Sequence, residues 1–440
     1  MYLLFDVLSW LTIYTAASFL RREGYSATAP FSVFLVEIVQ LAVIVAALFV
    51  IGGYDRHTEM RSLVYTAEHI LAVMAAAAVS ALLVYSAAAF DASIRPSRGV
   101  LLVSFVAFLP LSLVYRRWVR RFVAEASAHK LFLVIGSTET TARFKETYEQ
   151  SESPQRLEFV ASESLGGTDV AAKIDNLDRR YSGIILAEPP NRLEPQLLDR
   201  LVRTQFQRTR VYTLESFYET HWRYVPLNAI DPVWPLQTGF QLARISPYHY
   251  LKRLFDLVVS TIALVLFAPV IALIALLIWL EDRRPIIFAQ ERVGRDEFRF
   301  VMYKFRTMKR GSGEDAEDIY TRTGDPRLLR IGRWIRRLRL DELPQLWNVF
   351  RGEMSLIGPR PEWTRCSERY EKKIPFYHFR HLVKPGITGW AQVNYPYGES
   401  ESDALEKLKY DLYYIRHYSL KLDAMIVLKT VHTMLFGKGR

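Results

Sequence analysis

The sequence predicts three parts: a bundle of four membrane helices, a soluble α/β domain of the Rossmann-like type, and a mixed α/β domain that starts with a helix-break-helix in the membrane. The first quarter holds four long apolar segments, and the middle alternates short apolar runs with polar helical stretches. The remainder follows a fifth apolar segment and is rich in Arg, Lys and Gly. A chain of 440 residues is also too long for one ordinary core. We place the three parts at 1–122, 128–245 and 246–440.

The four N-terminal segments are apolar over about the 17 to 25 residues that cross a bilayer. They cover residues 3–20, 31–51, 63–89 and 100–115. Polar residues within them are expected to face other helices or the interface, namely Asp6, Glu37, Glu68 and His69. A cleavable signal peptide is disfavoured for the first segment, because it lacks a basic leader and carries Asp6 early.

Arginines after the fourth segment predict the orientation. Because cytoplasmic flanks are enriched in basic residues, Arg116, Arg117, Arg120 and Arg121 indicate that this segment ends in the cytoplasm. An even number of spans then places both chain ends inside, with the later domains on the cytoplasmic face. Arg21, Arg22, Arg95 and Arg98 fall outside in this arrangement.

The net charge of +11 predicts an anionic partner. Nucleic acid, anionic lipid and phosphorylated substrates would all fit the charge, and the apolar segments favour the last two over nucleic acid. Cys366 is the single cysteine, which excludes an internal disulfide and a zinc site built on cysteines. We interpret Cys366 as structural, since no His or Asn is placed to activate it.

The middle part begins with a short apolar run, 131–136, that ends at Gly136 before a polar helical stretch, as in a buried parallel strand. Further strands are predicted at 183–187 and 211–214, and helices at 165–181 and 193–207. A dinucleotide site needs several glycines near the pyrophosphate, and only Gly136 is present. Scaffolding or regulation is therefore favoured over nucleotide binding. The aromatic segment 217–241 is predicted to lie near the membrane, with a plain linker as the alternative.

The fifth apolar segment, 257–280, is long enough to span a bilayer but is predicted to form a re-entrant hairpin over 251–281. Its flanks are basic on both sides, with Lys252 and Arg253 before it and Arg283 and Arg284 after it. Pro269 lies near its middle and removes a backbone donor, which favours a break.

The pair Asp341–Glu342 lies among many arginines, which predicts phosphate chemistry. The upstream arginines are Arg327, Arg330, Arg333, Arg336, Arg337 and Arg339, and Gly358-Pro359-Arg360-Pro361-Glu362 follows downstream. Asp341 is expected to be the N-cap of a helix that runs through Trp347 and ends near Gly352, with Pro344 in the first turn. The positive end of that helix would keep Asp341 ionised and attract anions. A plain cap is the simpler interpretation, but Glu342 and the nearby guanidiniums favour a nucleophile or metal ligand.

A strand is predicted at 298–305, with Lys304 and Arg306 on either side of Phe305, and the loop 311–318 that follows is long enough to cover a site. The C-terminal stretch 410–436 has a helical pattern whose apolar side suits packing or membrane docking.

Four blocks resemble the bacterial sugar transferase family, the monotopic phosphoglycosyl transferases that start exopolysaccharide and O-antigen assembly. The blocks are Lys304-Phe305-Arg306-Thr307-Met308, Asp341-Glu342-Leu343-Pro344-Gln345-Leu346-Trp347-Asn348-Val349, Met354-Ser355-Leu356-Ile357-Gly358-Pro359-Arg360-Pro361-Glu362 and Lys384-Pro385-Gly386-Ile387-Thr388-Gly389-Trp390-Ala391-Gln392-Val393-Asn394. The resemblance covers 246–440, and the N-terminal layout is similar to the large form, like undecaprenyl-phosphate glucose and galactose phosphotransferases.

The resemblance implies that Asp341 attacks the sugar-linked phosphorus of a UDP-sugar, expels UMP and passes the phosphosugar to polyprenyl phosphate. It implies Mg²⁺ held by Asp341 or Glu342, with Glu342 alternatively a proton-transfer group. It also implies phosphate contacts from Lys304, Arg306, Arg336 and Arg360, with Pro359 and Pro361 beside the substrate. Pro269 would be the family's re-entrant break, and the protein would lie in the bacterial inner membrane. A homodimer is a further expectation.

The chain departs from many members after Asn394, where they continue with Gly-Arg. Here Tyr395-Pro396-Tyr397-Gly398-Glu399 follows, as in a subgroup associated with exosortase-linked polysaccharide loci. The sugar therefore stays open.

Two other functions are weighed against this one. A membrane-bound nucleotide-sugar dehydratase or epimerase would need a Tyr-x-x-x-Lys pair, and Tyr248 with Lys252 has that spacing but lacks the glycines. A non-catalytic scaffold of a polysaccharide assembly complex would not need the acidic pair within its basic surroundings.

Overall fold

A computed structural model describes residues 1–20, 31–54, 60, 63–90, 98–127, 131–150, 155–161, 170, 174, 181–189, 192–207, 209–230, 234, 239–309, 327–395, 398 and 400–435. The chain divides into two compact units, Met1–Trp222 and Arg223–Arg440. The predicted loop 311–318, most of the predicted helix 165–181, and Arg21, Arg22 and Arg95 lie outside the described residues.

The first unit carries the apolar helices and a parallel sheet. Its helices are α1 (Tyr2–Leu20), α2 (Phe31–Val50), α3 (Leu63–Ala87), α4 (Arg98–Ser127), α5 (Thr138–Gln150), α6 (Pro195–Gln207) and α7 (Leu214–Phe217), with a π-helical turn at Tyr218–Trp222. Its strands are β1 (Leu131–Gly136), β2 (Arg156–Ala161), β3 (Tyr181–Leu186) and β4 (Arg210–Thr213).

The four predicted N-terminal helices are confirmed. Helix α1 and the segments Tyr65–Ala87 and Arg98–Val119 are long and apolar enough to cross a membrane, and the apolar helix at Val36–Val50 is shorter. The polar residues within them face inward as predicted, since Asp6, Glu37, Glu68 and His69 are all buried.

An ion pair inside this bundle changes the interpretation of one arginine. Arg116 is fully buried, and its Nη2 lies 2.7 Å from Oδ2 of Asp6. Tyr54 donates to the same carboxylate at 2.7 Å, and Tyr115 donates to its other oxygen. Arg116 was one of the four arginines used to predict that α4 ends in the cytoplasm. In the structure it joins α4 to α1 through Asp6. An unpaired charge buried among these apolar helices would be costly, and the ion pair avoids that cost.

The sheet of the first unit is an open parallel sheet in the order β2-β1-β3-β4. Leu133 and Ile135 of β1 pack with Ile184 of β3 and Leu197 of α6 on one face. Strand β2 was not predicted. Among the described strands it pairs with β1 alone, at the edge of the sheet, and residues 156–160 are exposed or partly buried, so it lacks the continuous apolar run of a central strand.

The second unit begins inside the segment predicted as a connector. Its helices are α8 (Leu242–Ile245), α9 (Tyr248–Asp282), α10 (Arg330–Arg337), α11 (Gln345–Arg351), α12 (Thr364–Lys373), α13 (Trp390–Asn394), α14 (Glu401–Arg416) and α15 (Leu420–Leu435), with 3-10 turns at Leu227–Ala229, Arg295–Glu297, Leu340–Glu342 and Tyr377–Leu382. Its strands are β5 (Ile287–Val293), β6 (Arg299–Phe305), β7 (Ser355–Ile357) and β8 (Gly386–Thr388). The predicted C-terminal helix is therefore two helices, α14 and α15.

Aromatic residues from the later part of the segment 217–241 pack within the second unit. Trp234 is fully buried, its ring meets Phe240 edge-on at 4.9 Å, and the Arg416 guanidinium lies 5.1 Å from its centre. The described residues of the segment after Trp222 are thus packed into this unit and do not form a plain linker.

Helix α9 is continuous from Tyr248 to Asp282 and contains Pro269, so the predicted interruption is not a gap in the helix. Its N-terminal part is tied to α11, because Arg253 donates to the carbonyls of Val349 and Phe350 at 2.7 and 2.8 Å. Both carbonyls lie in the last turn of α11, where the regular helical N–H donors run out, and Val349 O also accepts from the Gly352 N–H at 3.0 Å.

The C-terminal part of α9 is tied to the same unit. The carboxylate of Glu281 accepts from the backbone N–H groups of Arg330 and Ile331 at 2.6 and 3.0 Å, which caps the start of α10. Ile274 and Ile278 lie in one core with Phe305 of β6. Between these two anchors, residues 261–273 include no buried side chain.

Candidate active site

The centre of the site is the carboxylate of Glu342, which is 9% exposed. Its Oε1 accepts from Lys304 Nζ at 3.1 Å and from Arg360 Nη2 at 3.0 Å. The three residues come from the Leu340–Glu342 turn, from β6 and from the segment after β7. Three of the four sequence blocks thus meet at one carboxylate.

Strand β6 places Lys304 beside Glu342, because the two faces of the strand pack against different parts of the unit. Met302 packs with Val349 and Met354, and Lys304 lies two residues further along the same face. Phe305, on the opposite face, packs against Ile274 and Ile278 of the membrane helix. The strand therefore lies between the membrane helix and the helix that follows the acidic pair.

Asp341 is not the helix N-cap that was predicted. It lies in the middle of a 3-10 turn, while Pro344 is the N-cap of α11 and Gln345 its first residue. The preceding Arg339 has φ +56°, a left-handed conformation that is uncommon for a residue other than glycine. This residue turns the chain at the end of α10 and aims the acidic pair into the site. The helix does end at Gly352, as predicted.

The two carboxyl groups differ in their electrostatics. Burial alone would raise the pKa of Glu342, but Arg360 and Lys304 outweigh it and lower the pKa to about 2. Burial and the neighbouring Glu342 charge raise the pKa of Asp341, against the opposing effects of Lys304, Arg336 and Arg360. Among the described residues, the Asp341 carboxylate has no hydrogen-bond or ion-pair partner, so it is available to a ligand.

Backbone contacts between two glycine-containing segments position Arg360. The Gly358 N–H donates to Thr388 O at 2.8 Å, and the Gly386 N–H donates to Pro359 O at 2.9 Å. A Cβ on Gly386 would lie 2.1 Å from the Gly358 nitrogen, so a side chain is excluded there. The third and fourth sequence blocks are therefore paired backbone to backbone.

Some predicted phosphate contacts lie in this site and one does not. Arg336 is close enough to lower the pKa of Asp341. Pro359 and Pro361 are buried, and their carbonyls accept backbone and side-chain bonds. Arg306 forms an ion pair with Asp282 and donates to the carbonyls of Asp282, Arg283, Pro285 and Met308. The Arg306 guanidinium thus lies at the C-terminal end of α9, where its hydrogen bonds are made to that helix end and to nearby carbonyls.

Sequence reasoning missed Asn348, which is fully buried. Its Oδ1 accepts from the Tyr303 N–H at 3.1 Å, and its Nδ2 donates to Val301 O at 2.7 Å. It thereby ties α11 to β6 beside Lys304. Its position in the second block is visible in the sequence, but its partners are 45 and 47 residues away.

The pair Tyr248 and Lys252, which a dehydratase would use for hydride transfer, has a different function. Tyr248 donates to Asp423 at 2.6 Å, and Lys252 forms a buried ion pair with the same carboxylate. Asp423 also accepts from Tyr414 at 2.8 Å. The pair therefore joins the start of the membrane helix to α15.

The chemistry of the site suits a magnesium ion that is shared with a substrate. No group of three or more His, Cys, Asp or Glu side chains suited to a metal exists among the described residues. Mg²⁺ is commonly held by one or two carboxylates together with substrate phosphates and water. The carboxylate of Asp341, which is unpartnered within the part of the chain that the structure describes, fits that arrangement together with Glu342.

Comparison with known proteins identifies relatives of this chain. Residues 247–437 match the family model described as bacterial sugar transferase. Over 261 residues the chain is 40% identical to the UDP-N-acetylgalactosamine-undecaprenyl-phosphate N-acetylgalactosaminephosphotransferase of Aeromonas hydrophila, covering 59% of this chain and 60% of that protein.

Two other relatives are matched over more of their length. The UDP-glucose:undecaprenyl-phosphate glucose-1-phosphate transferase of Caulobacter vibrioides is 41% identical over 214 residues, which is 48% of this chain and 79% of that protein. The exopolysaccharide production protein PSS of Rhizobium leguminosarum bv. phaseoli is 39% identical over 195 residues, which is 43% of this chain and 98% of that protein. Several other curated relatives are matched over only about half of their own length, at 50 and 52%.

Proposed function

We propose, because the chain belongs to the bacterial sugar transferase family, that it transfers a hexose 1-phosphate from a UDP-sugar to polyprenyl phosphate and releases UMP. The observation that carries this proposal is the acidic pair. Glu342 is held by Lys304 and Arg360, while Asp341 beside it is unpartnered among the described residues. This reaction would be the first membrane step of exopolysaccharide or glycoconjugate synthesis.

In the proposed first step, a carboxylate oxygen of Asp341 forms a bond to the sugar-linked phosphorus. The bond from that phosphorus to the bridging oxygen breaks, and its electron pair leaves with UMP. In the second step, a phosphate oxygen of polyprenyl phosphate attacks the same phosphorus, and the bond to Asp341 breaks. The carboxylate is restored, and two displacements replace one harder step.

The surrounding cations suit this chemistry. Lys304 and Arg360 fix Glu342 beside the nucleophile and present positive charge to the diphosphate. Arg336 adds charge close to Asp341. Asp341 and Glu342 would hold Mg²⁺, which when bound would neutralise the diphosphate.

We also propose that α9 enters the membrane and leaves it on the same side, so that both of its ends lie at one face of the bilayer. A straight helix would separate Arg253 from Glu281 by about 42 Å, so a spanning helix would carry these two residues to opposite faces. Both residues instead bond to neighbouring helices of one compact unit. The uncovered residues 261–273 around Pro269 would then be the part in lipid.

The exposed surface near α9 supports placement at a membrane. Trp334 and Leu338 are 64 and 63% exposed at α10, which also carries Arg330, Arg333 and Arg337, and Trp347 on α11 is 47% exposed. Basic helices with exposed aromatic and aliphatic residues are typical of membrane interfaces. Together with the basic flanks of the apolar helices, this supports a cytoplasmic face of the inner membrane.

The reaction is tested with the purified full chain, Mg²⁺, polyprenyl phosphate and a set of UDP-sugars. We expect UMP and a lipid diphosphate sugar. UDP as the product would show sugar transfer without phosphate and would refute the proposal. Comparing glucose, galactose and their N-acetyl forms identifies the donor.

The topology is tested with single cysteines in a Cys366→Ala background, using a membrane-impermeant maleimide on oriented vesicles. A cysteine at the exposed Lys372 should react only from the cytoplasmic side, and one at Ala268 should react from neither side. Reaction of the Lys372→Cys variant from the opposite face would show that α9 spans the bilayer.

A further inference from the structure

Arg380 is a buried arginine that donates to the main chain of Arg360, in the segment that follows β7. It lies in the 3-10 turn Tyr377–Leu382 and is 6% exposed. Its Nη2 donates to the backbone carbonyl of Arg360 and to Oδ2 of Asp411, both at 2.9 Å. Its Nη1 donates to the Tyr377 hydroxyl at 2.6 Å.

The carbonyl that Arg380 holds belongs to the residue whose side chain reaches the active site. Arg360 donates from its guanidinium to Glu342 at 3.0 Å. A shift of the Arg360 backbone would therefore move the guanidinium away from Glu342. Arg360 is in effect held at both ends, by Arg380 at the main chain and by Glu342 at the side chain.

The local sequence explains why a side-chain donor is needed. Arg360 lies between Pro359 and Pro361, which have no N–H to anchor the segment. The segment is fixed through its carbonyls instead. Pro359 O accepts from the Gly386 N–H at 2.9 Å, Pro361 O accepts from Arg292 at 3.3 Å, and Arg360 O accepts from Arg380.

Asp411 holds Arg380 in this position. It is 1% exposed on α14, and its ion pair with Arg380 has side-chain exposures of 6 and 2%. A buried ion pair is weak evidence of stabilisation, because apolar residues of similar volume often replace one without loss. The directed bond to the Arg360 carbonyl is something that apolar residues cannot supply.

We propose that Arg380, held by Asp411, is a positioning residue that fixes the main chain of Arg360 and so aligns its guanidinium with Glu342 and the substrate diphosphate. The inference rests on the proposed phosphosugar transfer. It adds a function for a residue outside the four sequence blocks.

The first test separates positioning from folding. We expect Arg380→Met alone to lower the melting temperature, because Asp411 is left buried without its partner. Adding Asp411→Leu should recover most of the melting temperature but leave kcat/KM for the UDP-sugar reduced by about ten- to a hundredfold, since the Arg360 carbonyl stays unheld. Recovery of kcat/KM together with the melting temperature would show that the pair is only structural.

The second test asks whether Arg380 acts through Arg360, and it uses the milder Arg380→Lys. A lysine keeps the charge beside Asp411 but lacks the planar fork that serves two acceptors. We expect a loss of about tenfold in the wild-type background and about twofold or less in an Arg360→Lys background. Equal losses in both backgrounds would overturn the inference.

Two controls complete the design. Arg299→Gln removes an arginine from an exposed pair with Glu368 and should leave kcat/KM unchanged. Wild-type protein that releases no UMP would refute the proposed function. Wild-type release combined with a fully active Arg380→Met/Asp411→Leu variant would refute only the inference.

Discussion

Each unit of the molecule contains a buried glutamate beside a turn, and the two differ in their partners. Glu188 of the first unit is 5% exposed, and its Oε1 accepts from the hydroxyls of Ser137 at 2.5 Å and Thr140 at 3.0 Å. Glu342 of the second unit is 9% exposed and accepts from Lys304 and Arg360. The burial is similar, but the hydrogen-bond donors are neutral hydroxyls in the first unit, where Arg192 lies 3.9 Å from the other Glu188 oxygen, and cations in the second.

The difference teaches what distinguishes a structural carboxylate from one in a reactive site. The Glu188 carboxylate lies at the first turn of α5, where an anion is favoured. It therefore occupies a position that a phosphate group could otherwise take. Gly136 is also used internally, because a Cβ there would lie 2.9 Å from Ala187 Cβ and 2.8 Å from Thr140 Oγ1. These contacts favour a scaffold over a nucleotide site. Around Glu342 the cations also face Asp341, which has no hydrogen-bond or ion-pair partner among the described residues, so charge is available for a ligand.

The strongest test of this comparison is a change at Asp341, the proposed nucleophile. Asp341→Asn keeps the shape of the side chain but removes its charge, so we expect UMP release to fall by at least about a thousandfold. The measurement is UMP release under saturating UDP-sugar, with Asp296→Asn as the surface control. A near-normal rate in the Asp341 variant would show that the acidic pair, like Glu188, has only a structural function.

Removing the charge of Glu342 should produce the next largest effect. We expect Glu342→Gln to lower kcat by about ten- to a hundredfold, because the cations lose the anion that orders them. The same change should lower the pKa of Asp341, since the Glu342 charge is one cause of its elevation.

A pH profile checks the sign of that shift. In the proposed mechanism Asp341 reacts as the carboxylate, so activity should fall as the pH drops through its pKa. The residual activity of Glu342→Gln should therefore persist to lower pH than that of the wild type. An acid limb that stays in place or moves to higher pH would contradict the assigned coupling.

Two cations that are two residues apart sharpen the contrast further. Lys304→Met removes a donor to Glu342 and should lower kcat/KM by about tenfold with little change in melting temperature. Arg306→Lys should do the opposite, because it loses bonds to the carbonyls at the end of α9 while the site stays intact. Thermal unfolding and UMP release, measured on both variants, decide the matter. A tenfold loss of kcat/KM in Arg306→Lys at unchanged stability would return Arg306 to the phosphate site.

The contrast between Lys304 and Arg306 also marks what could be predicted from the sequence. Apolar length and period located α1 to α4 and the strands β1, β3, β4 and β6, because these signals are local. Motif order located Asp341 and Glu342. Which cation reaches Glu342 depends on contacts between residues 38 and 18 positions apart, and no local pattern carries that information.

Two misses have the same physical origin. Arg116 resembles a flanking charge in the sequence, and only the packing of α1 on α4 brings it to Asp6, 110 positions away. Asp341 resembles an N-cap, but the left-handed Arg339 ends α10 and inserts a 3-10 turn before α11. A positive φ at a residue other than glycine is set by its surroundings and leaves no signal in the sequence.

The smallest expected effect concerns the neutral carboxylate site. Glu188→Gln keeps an oxygen acceptor for Ser137 and Thr140, and an exchange of this kind changes stability by about 1 kcal/mol. We expect a shift of a few degrees or less in melting temperature and a rate of UMP release within about twofold of the wild type. Thr140→Ala is the matched variant from the donor side and should behave alike. A tenfold fall in UMP release with an intact fold would mean that the Glu188 site of the first unit affects the reaction, and the division between a structural and a reactive glutamate would no longer hold.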